Sequence, residues 1–127
     1  MKYVGSKRRI AKYIMPLILK DRKEDQWYVE PFCGGCNSIS QVDGKRIAAD
    51  INPYLISMWE GVINGVSLPT DISRQYYNKV RSSYYKNDTT FSDCEKGWIG
   101  FMGSYNGKFF DGGYSGVSWG RDYIRES

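Results

Sequence analysis

The sequence predicts a mixed α/β fold that opens as a parallel sheet, and three observations carry that expectation. The stretch Gln26-Trp-Tyr-Val-Glu30 runs directly into Pro31 and the pair Gly34-Gly35, the pattern of a short buried strand stopped by a tight loop. Arg46-Ile-Ala-Ala-Asp50 follows the Asp43-Gly44 turn as a second strand. Around them, apolar residues recur at helical spacing rather than in alternation. Strand, glycine loop, helix, strand, helix is the order in which parallel sheets are built, because parallel neighbours need a crossover connection. Two strands do not finish such a sheet, so the expected fold is incomplete.

The elements follow in order. Ile10, Ala11, Ile14, Leu17 and Ile18 share one helical face within residues 6–20, with Ser6 as cap and Pro16 shortening the end. A short helical piece is expected over Asn37–Gln41. Asn52-Pro53 reads as an N-cap with proline at the first helical position, and Leu55, Ile56, Trp59, Val62 and Ile63 continue the helix to Asn64-Gly65. Thr70 or Asp71 opens a helix to Tyr85, its face made of Ile72, Tyr76, Tyr77, Val80 and Tyr84. A last helix near Cys94–Met102 leads into a glycine- and aromatic-rich stretch, and Arg121–Ser127 has the charge pattern of a helix beginning.

Composition bounds the class. A chain of 127 residues with 41% hydrophobic and 25% charged residues is one ordinary globular domain at most. No apolar run is long enough to span a bilayer and no secretory leader is evident, so a cytoplasmic protein is expected. Three cysteines, an odd number, fit a reducing compartment. The net charge of +4 is uneven: Lys2, Lys7, Arg8, Arg9 and Lys12 gather in the first twelve residues without an acid. Such a cluster suits phosphates, or simply a solvated helix face.

Cys33 and Cys36 form a C-x-x-C pair between strand and loop, where a redox site would sit. The segment after it, Asn37-Ser38-Ile39-Ser40-Gln41, is too short and polar for the long helix such a site needs. Structural zinc needs four ligands, and the sequence has no His and one further Cys; no metal site is expected. The competing reading uses the glycines and the acid. Glycines after a first strand let backbone approach a nucleoside, and Asp50 stands where an acid takes ribose hydroxyls. The third glycine of a pyrophosphate loop is missing, which favours a nucleoside without phosphates, such as S-adenosylmethionine. An acid capping the following helix is the plain alternative for Asp50.

Three ordered stretches resemble the Dam-like (D12 class) DNA adenine-N6 methyltransferases. Lys2-Tyr3-Val4-Gly5-Ser6-Lys7 is similar to the family's N-terminal K-[WY]-x-G-[GS]-K signature, and Tyr28-Val29-Glu30-Pro31-Phe32-Cys33-Gly34-Gly35 to its cofactor loop. Asp50-Ile51-Asn52 matches the D-x-N after its second strand, and Tyr105-Asn106-Gly107 resembles its [FY]-N-G element. The resemblance implies an incomplete Rossmann-like S-adenosylmethionine-dependent methyltransferase fold, with residues 1–70 forming the cofactor-binding part and 71–127 the start of a target-recognition region. It further implies that Tyr3, Lys7, Phe32, Gly34, Gly35, Asp50 and Ile51 line the cofactor pocket. Lys7 would meet the methionine carboxylate, Asp50 the ribose and Ile51 the adenine. Double-stranded DNA is the implied partner, with Tyr105, Asn106, Lys108 and Arg121 as contacts. For each of the other aromatics nearby, from Trp98 to Trp119, packing onto the domain is the expectation, while for the region as a whole, with Lys108 and Arg121 among them, stacking on DNA bases is an equal alternative.

One departure is serious. The [DNS]-P-P-[YFW] tetrapeptide that supplies the family's catalytic acceptors is absent from these residues, and Asn52-Pro53-Tyr54 lacks its second proline. The expectation is therefore a truncated or split chain with no catalytic residue of its own, inactive alone, whose partner carries the catalytic half. A non-catalytic DNA-binding remnant and a C-x-x-C oxidoreductase are the alternatives.

Overall fold

A computed structural model describes residues 1–118 and 121–122. The chain folds as two compact units, one made of Gly5–Ile51 and the other of Met1–Val4 with Asn52–Ser127.

In the Gly5–Ile51 unit, helix α1 spans Ala11–Ile18 and starts later than its apolar pattern suggested. The Lys7 carbonyl accepts from the N–H groups of Ile10 (3.0 Å) and Ala11 (2.8 Å), so residues 7–10 form a turn. Ser6 does not cap the helix; its hydroxyl oxygen accepts from the Arg8 N–H and from Asn37 Nδ2. Pro16 lies inside the helix, which ends two residues later. Ala11 and Met15 are buried with Val42, and Ile14 and Tyr28 pack on them, while Leu17 and Ile18 are exposed. The buried strip is thus narrower than the apolar face, because one 3-10 turn and a two-stranded sheet offer little to pack against.

Strands β1 (Tyr28–Glu30) and β2 (Arg46–Ala48) pair in parallel, with Val29 opposite Ile47. Side chains alternate across a strand, so Tyr28 faces α1 while Val29 and Ile47 share the other face. Val29 is 56% exposed, and β1 is not the fully buried strand expected, since only one face of this sheet is covered. The expected helical piece after the glycines is a single 3-10 turn, Ile39–Gln41. The Arg46 guanidinium donates to the carbonyls of Ile39 (3.0 Å) and Val42 (2.6 Å), holding that turn over the sheet. Arg22 does the same at the strand entrances, donating to the carbonyls of Gln26, Asp43 and Lys45.

The other unit is helical. Helix α2 (Pro53–Ile63) begins where Asn52 Oδ1 accepts from the N–H groups of Tyr54 (3.0 Å) and Leu55 (3.2 Å), with Pro53 at the first position. It ends at Asn64, and Gly65 takes a positive φ of 72°. Helix α3 (Arg74–Lys86) starts after Ser73, whose hydroxyl accepts from the Tyr76 N–H. Ser73 outcompetes Thr70 and Asp71 as the cap. Ile72 therefore precedes the helix, though it is buried as its pattern required. Helix α4 (Asp93–Met102) is capped by Ser92, with Asp93 and Glu95 in its first turn where the helix dipole favours acids. Leu55, Met58, Tyr77, Val80, Ile99 and Phe110 are the centre of the core they enclose. Gly97 allows α2 and α4 to approach: a Cβ there would lie 2.2 Å from the Tyr54 carbonyl oxygen.

After α4, a 3-10 turn at Tyr105–Gly107 precedes an antiparallel pair, β3 (Val117–Ser118) with β4 (Arg121–Asp122). The helix expected to begin at Arg121 is replaced there by this strand. The rest of that expected helix, 123–127, and Trp119 lie outside the described residues. Among the described residues no helix is long and apolar enough to cross a membrane.

Candidate functional site

The Gly5–Ile51 unit brings the glycine loop and the second-strand acid together. The Ala49 N–H donates to the Glu30 carbonyl and the Cys33 N–H to the Ala49 carbonyl, both at 2.9 Å, extending the pairing beyond the strands. The loop then turns through Gly34, which has a positive φ of 49° and whose N–H donates to Asp50 Oδ2 at 3.1 Å. Only the parallel register of β1 and β2 makes this bond possible across sixteen residues of chain. Phe32 and Ile51 flank it on the outside, 83% and 96% exposed. Large apolar side chains this exposed beside a glycine turn offer flat surface to a ligand ring.

Glu30 is a participant that the sequence reading passed over. Its Oε2 atom is buried with no hydrogen-bond partner. Burial pushes its carboxyl above the ordinary range, opposed by the Ile39 backbone and the Tyr28 hydroxyl. The signal was present in the sequence, since Glu30 stands inside the Glu-Pro-Phe stretch, but only burial distinguishes it from a strand-end acid. An orphaned carboxylate oxygen is an acceptor awaiting a donor. Because the folded pKa is raised, the stability associated with the protonated form is complete below the unfolded value and is lost as pH rises through the folded one. Glu30→Gln is therefore expected to raise the melting temperature at pH 7 and leave it unchanged at pH 4, by thermal denaturation followed by circular dichroism. Partial solvent access limits the gain to about 0.5–1 kcal/mol.

The cysteines do not have the electrostatics of a redox pair. Burial raises the Cys33 thiol above its ordinary value and, with Cys33, Glu30 and Asp50 nearby, pushes Cys36 up to about 12. A nucleophilic thiol needs the opposite shift. Cys36 has a positive φ of 58°, so it acts as a turn residue. Its alkylation by iodoacetamide at pH 7.5 is expected to run at least about tenfold slower than that of a free thiol, read by mass spectrometry.

Gly35 is half-buried in the loop, and Lys7 is exposed with its ammonium donating to the Gly5 carbonyl at 3.3 Å. Tyr3 belongs to the helical unit, its ring 5.6 Å from Phe101. In that unit the Lys2 and Tyr3 backbone lies against Gly107, where a Cβ would come within 2.2 Å of the Lys2 carbonyl oxygen. Lys2-Tyr3 and the Y-N-G stretch, far apart in sequence, thus meet. Tyr105, Asn106 and Lys108 are exposed around this contact, whereas Phe101 and Phe110 are buried and Phe109 and Tyr114 pack on the core. Arg121 is described by its backbone alone. A cleft of about 600 Å³ lies elsewhere, lined among others by Glu60, Val66, Pro69 and Cys94, and includes none of these residues. Among the described residues no cluster of three metal-ligating side chains occurs.

Among curated proteins, none matches the chain. A family model described as D12 class N6 adenine-specific DNA methyltransferase matches residues 3–106. That span runs from Tyr3 through the Gly34–Asp50 hydrogen bond to Asn106, well over half of the chain. By that match the chain belongs to the D12 class N6 adenine-specific DNA methyltransferase family.

Proposed function

We propose that this chain binds S-adenosylmethionine and double-stranded DNA as the cofactor-binding part of an adenine-N6 methyltransferase with a Rossmann-like fold. The observation that carries the reading is the Gly34–Asp50 hydrogen bond, which brings the loop and the acid together at one end of a parallel strand pair. The residues fit the group. Asp50 presents its carboxylate at the end of the second strand, where ribose hydroxyls would donate to it; exposed Ile51 and Phe32 offer apolar surface to the adenine, and the orphaned Glu30 Oε2 suits an ammonium. Lys7 completes the set within this unit, toward a carboxylate. The bound cofactor supplies an electrophilic methyl group on a sulfonium.

Residues 1–70 serve the cofactor and 71–127 the DNA in this reading, with Tyr105, Asn106, Lys108 and Arg121 as contacts. Adenine N6 is inaccessible inside a stacked pair, so the target base must leave the duplex to be methylated. The exocyclic amine also needs acceptors for its hydrogens as charge develops. The sequence contains no [DNS]-P-P-[YFW] stretch to provide them. We therefore assign that step to polypeptide outside these residues and expect the chain alone to transfer no methyl group. The missing tetrapeptide also favours a second reading, a DNA-binding remnant that has lost the cofactor.

Calorimetric titration of the 127-residue chain with S-adenosylmethionine separates the two. Saturable one-to-one binding supports the methyltransferase reading. A folded chain that binds duplex DNA but no cofactor supports the remnant.

A further inference from the structure

Helix α3 departs from the charge rule that its neighbour α4 obeys. Its thirteen residues, RQYYNKVRSSYYK, contain four cations and no acid, and Arg74 occupies the first turn, where the helix dipole disfavours positive charge. Nor does α3 contain a Glu–Lys or Asp–Arg pair at i, i+4, the usual way a solvated helix accommodates its charges. Of the four cations only Lys86, in the last turn, follows the dipole rule.

The cations are ordered. At 3.6 residues per turn, Arg74 and Arg81 fall in one row and Lys79 and Lys86 in another, each pair about 10 Å apart along the axis. Gln75, Asn78 and Ser82, all exposed, lie on the strip between the rows, beside Tyr85, which is 60% exposed. The opposite side holds Tyr77, Val80 and Ser83, buried in the core. The first row is held in place: the Arg74 guanidinium lies 4.9 Å over the Tyr114 ring, and Arg81 donates to the Phe110 carbonyl while stacking on Tyr85. Acids do touch the helix, Asp88 accepting from the Ser83 hydroxyl and Glu95 from the Tyr76 hydroxyl, and both bond residues on the buried side rather than on the strip between the rows.

We propose that this solvent face of α3 docks on the sugar–phosphate backbone of double-stranded DNA. The two cation rows meet phosphates, and the hydrogen-bonding strip between them meets the groove. The inference rests on the DNA-directed reading above and adds a surface to it. Charge complementarity selects the partner: a helix of thirteen residues covers about 20 Å, a length of duplex carrying on the order of ten phosphate charges.

The test is fluorescence anisotropy of a labelled 20-base-pair duplex with the full chain at several salt concentrations. The Arg74→Glu/Lys79→Glu variant is compared with Lys20→Glu/Lys23→Glu, an equal change in net charge on exposed residues of the other unit. The α3 variant is expected to bind on the order of 50-fold more weakly at 0.1 M salt, with a salt slope shallower by about 2. Its melting temperature should change little, since Glu suits the first helical turn and offsets loss of the Arg74–Tyr114 contact. Damage to the fold would lower it. The control should lose far less. Equal loss in both variants would reduce the effect to net charge and overturn the proposal. So would absence of duplex binding by the unaltered chain, or preference for an RNA hairpin of similar length. Cofactor titration remains an independent readout, so a chain that binds S-adenosylmethionine yet fails here overturns the α3 surface alone.

Discussion

Asp50→Ala is expected to weaken S-adenosylmethionine binding by on the order of 100-fold or more, by calorimetry against the unaltered chain. Two losses combine. A carboxylate accepting two ribose hydroxyls makes charge-assisted hydrogen bonds of about 1.5–3 kcal/mol each, and one such bond already accounts for tenfold or more. The substitution also removes the side-chain acceptor of the Gly34 N–H, leaving the Cys33–Ala49 backbone bond to hold the loop to the second strand. Asp50→Asn separates the two. Its side-chain oxygen preserves the Gly34 bond while the charge is gone, so its loss should be intermediate. Should Asp50→Ala bind as well as the unaltered chain, the ribose role fails and Asp50 is left as the anchor of the glycine turn.

Gly107→Ala is expected to cost about 3–4 kcal/mol of stability, measured by urea unfolding of the chain. Gly107 has a φ of 67°, which costs an alanine about 1–2 kcal/mol. The remainder comes from the added methyl, which would sit 2.2 Å from the Lys2 carbonyl oxygen and force the first residues away. Gly113→Ala is the control. Its φ of 74° imposes the same backbone penalty, but no atom lies within 4 Å of the added carbon. The difference between the two variants therefore measures the contact between the N-terminal segment and the Y-N-G turn. Equal costs would mean that this contact contributes nothing.

Local chemistry was legible wherever a short signal had no competitor. Asn52-Pro53 opens α2 because the Asn side chain can reach two free N–H groups and proline lacks one to lose. Ser6, by contrast, failed as a cap because Arg8 and Asn37 both claimed its hydroxyl. The start of α3 moved for a similar reason: Thr70, Asp71 and Ser73 are all competent caps, and the choice among them depends on how Ile72 enters the core.

The candidate site divides the same way. Gly34 and Asp50 could be paired from their motif alone, since a glycine loop and a strand-end acid belong to one nucleoside-binding pattern. Glu30 could not, because an orphaned oxygen is a property of its surroundings and not of its residue type. The basic composition of α3 is visible in the sequence, but without the buried side formed by Tyr77 and Val80 there is no telling which residues reach solvent.

Residue order alone was sufficient for the family, the loop turns and the start of α2, because these depend on backbone propensity and on partners within a few positions. Tertiary structure was needed for three things. It exposed Val29 and Ile47 on the open face of the sheet, buried a lone Glu30 oxygen, and brought Lys2 against Gly107. Each depends on atoms distant in sequence, and burial and close approach exist only once the chain has brought those atoms together.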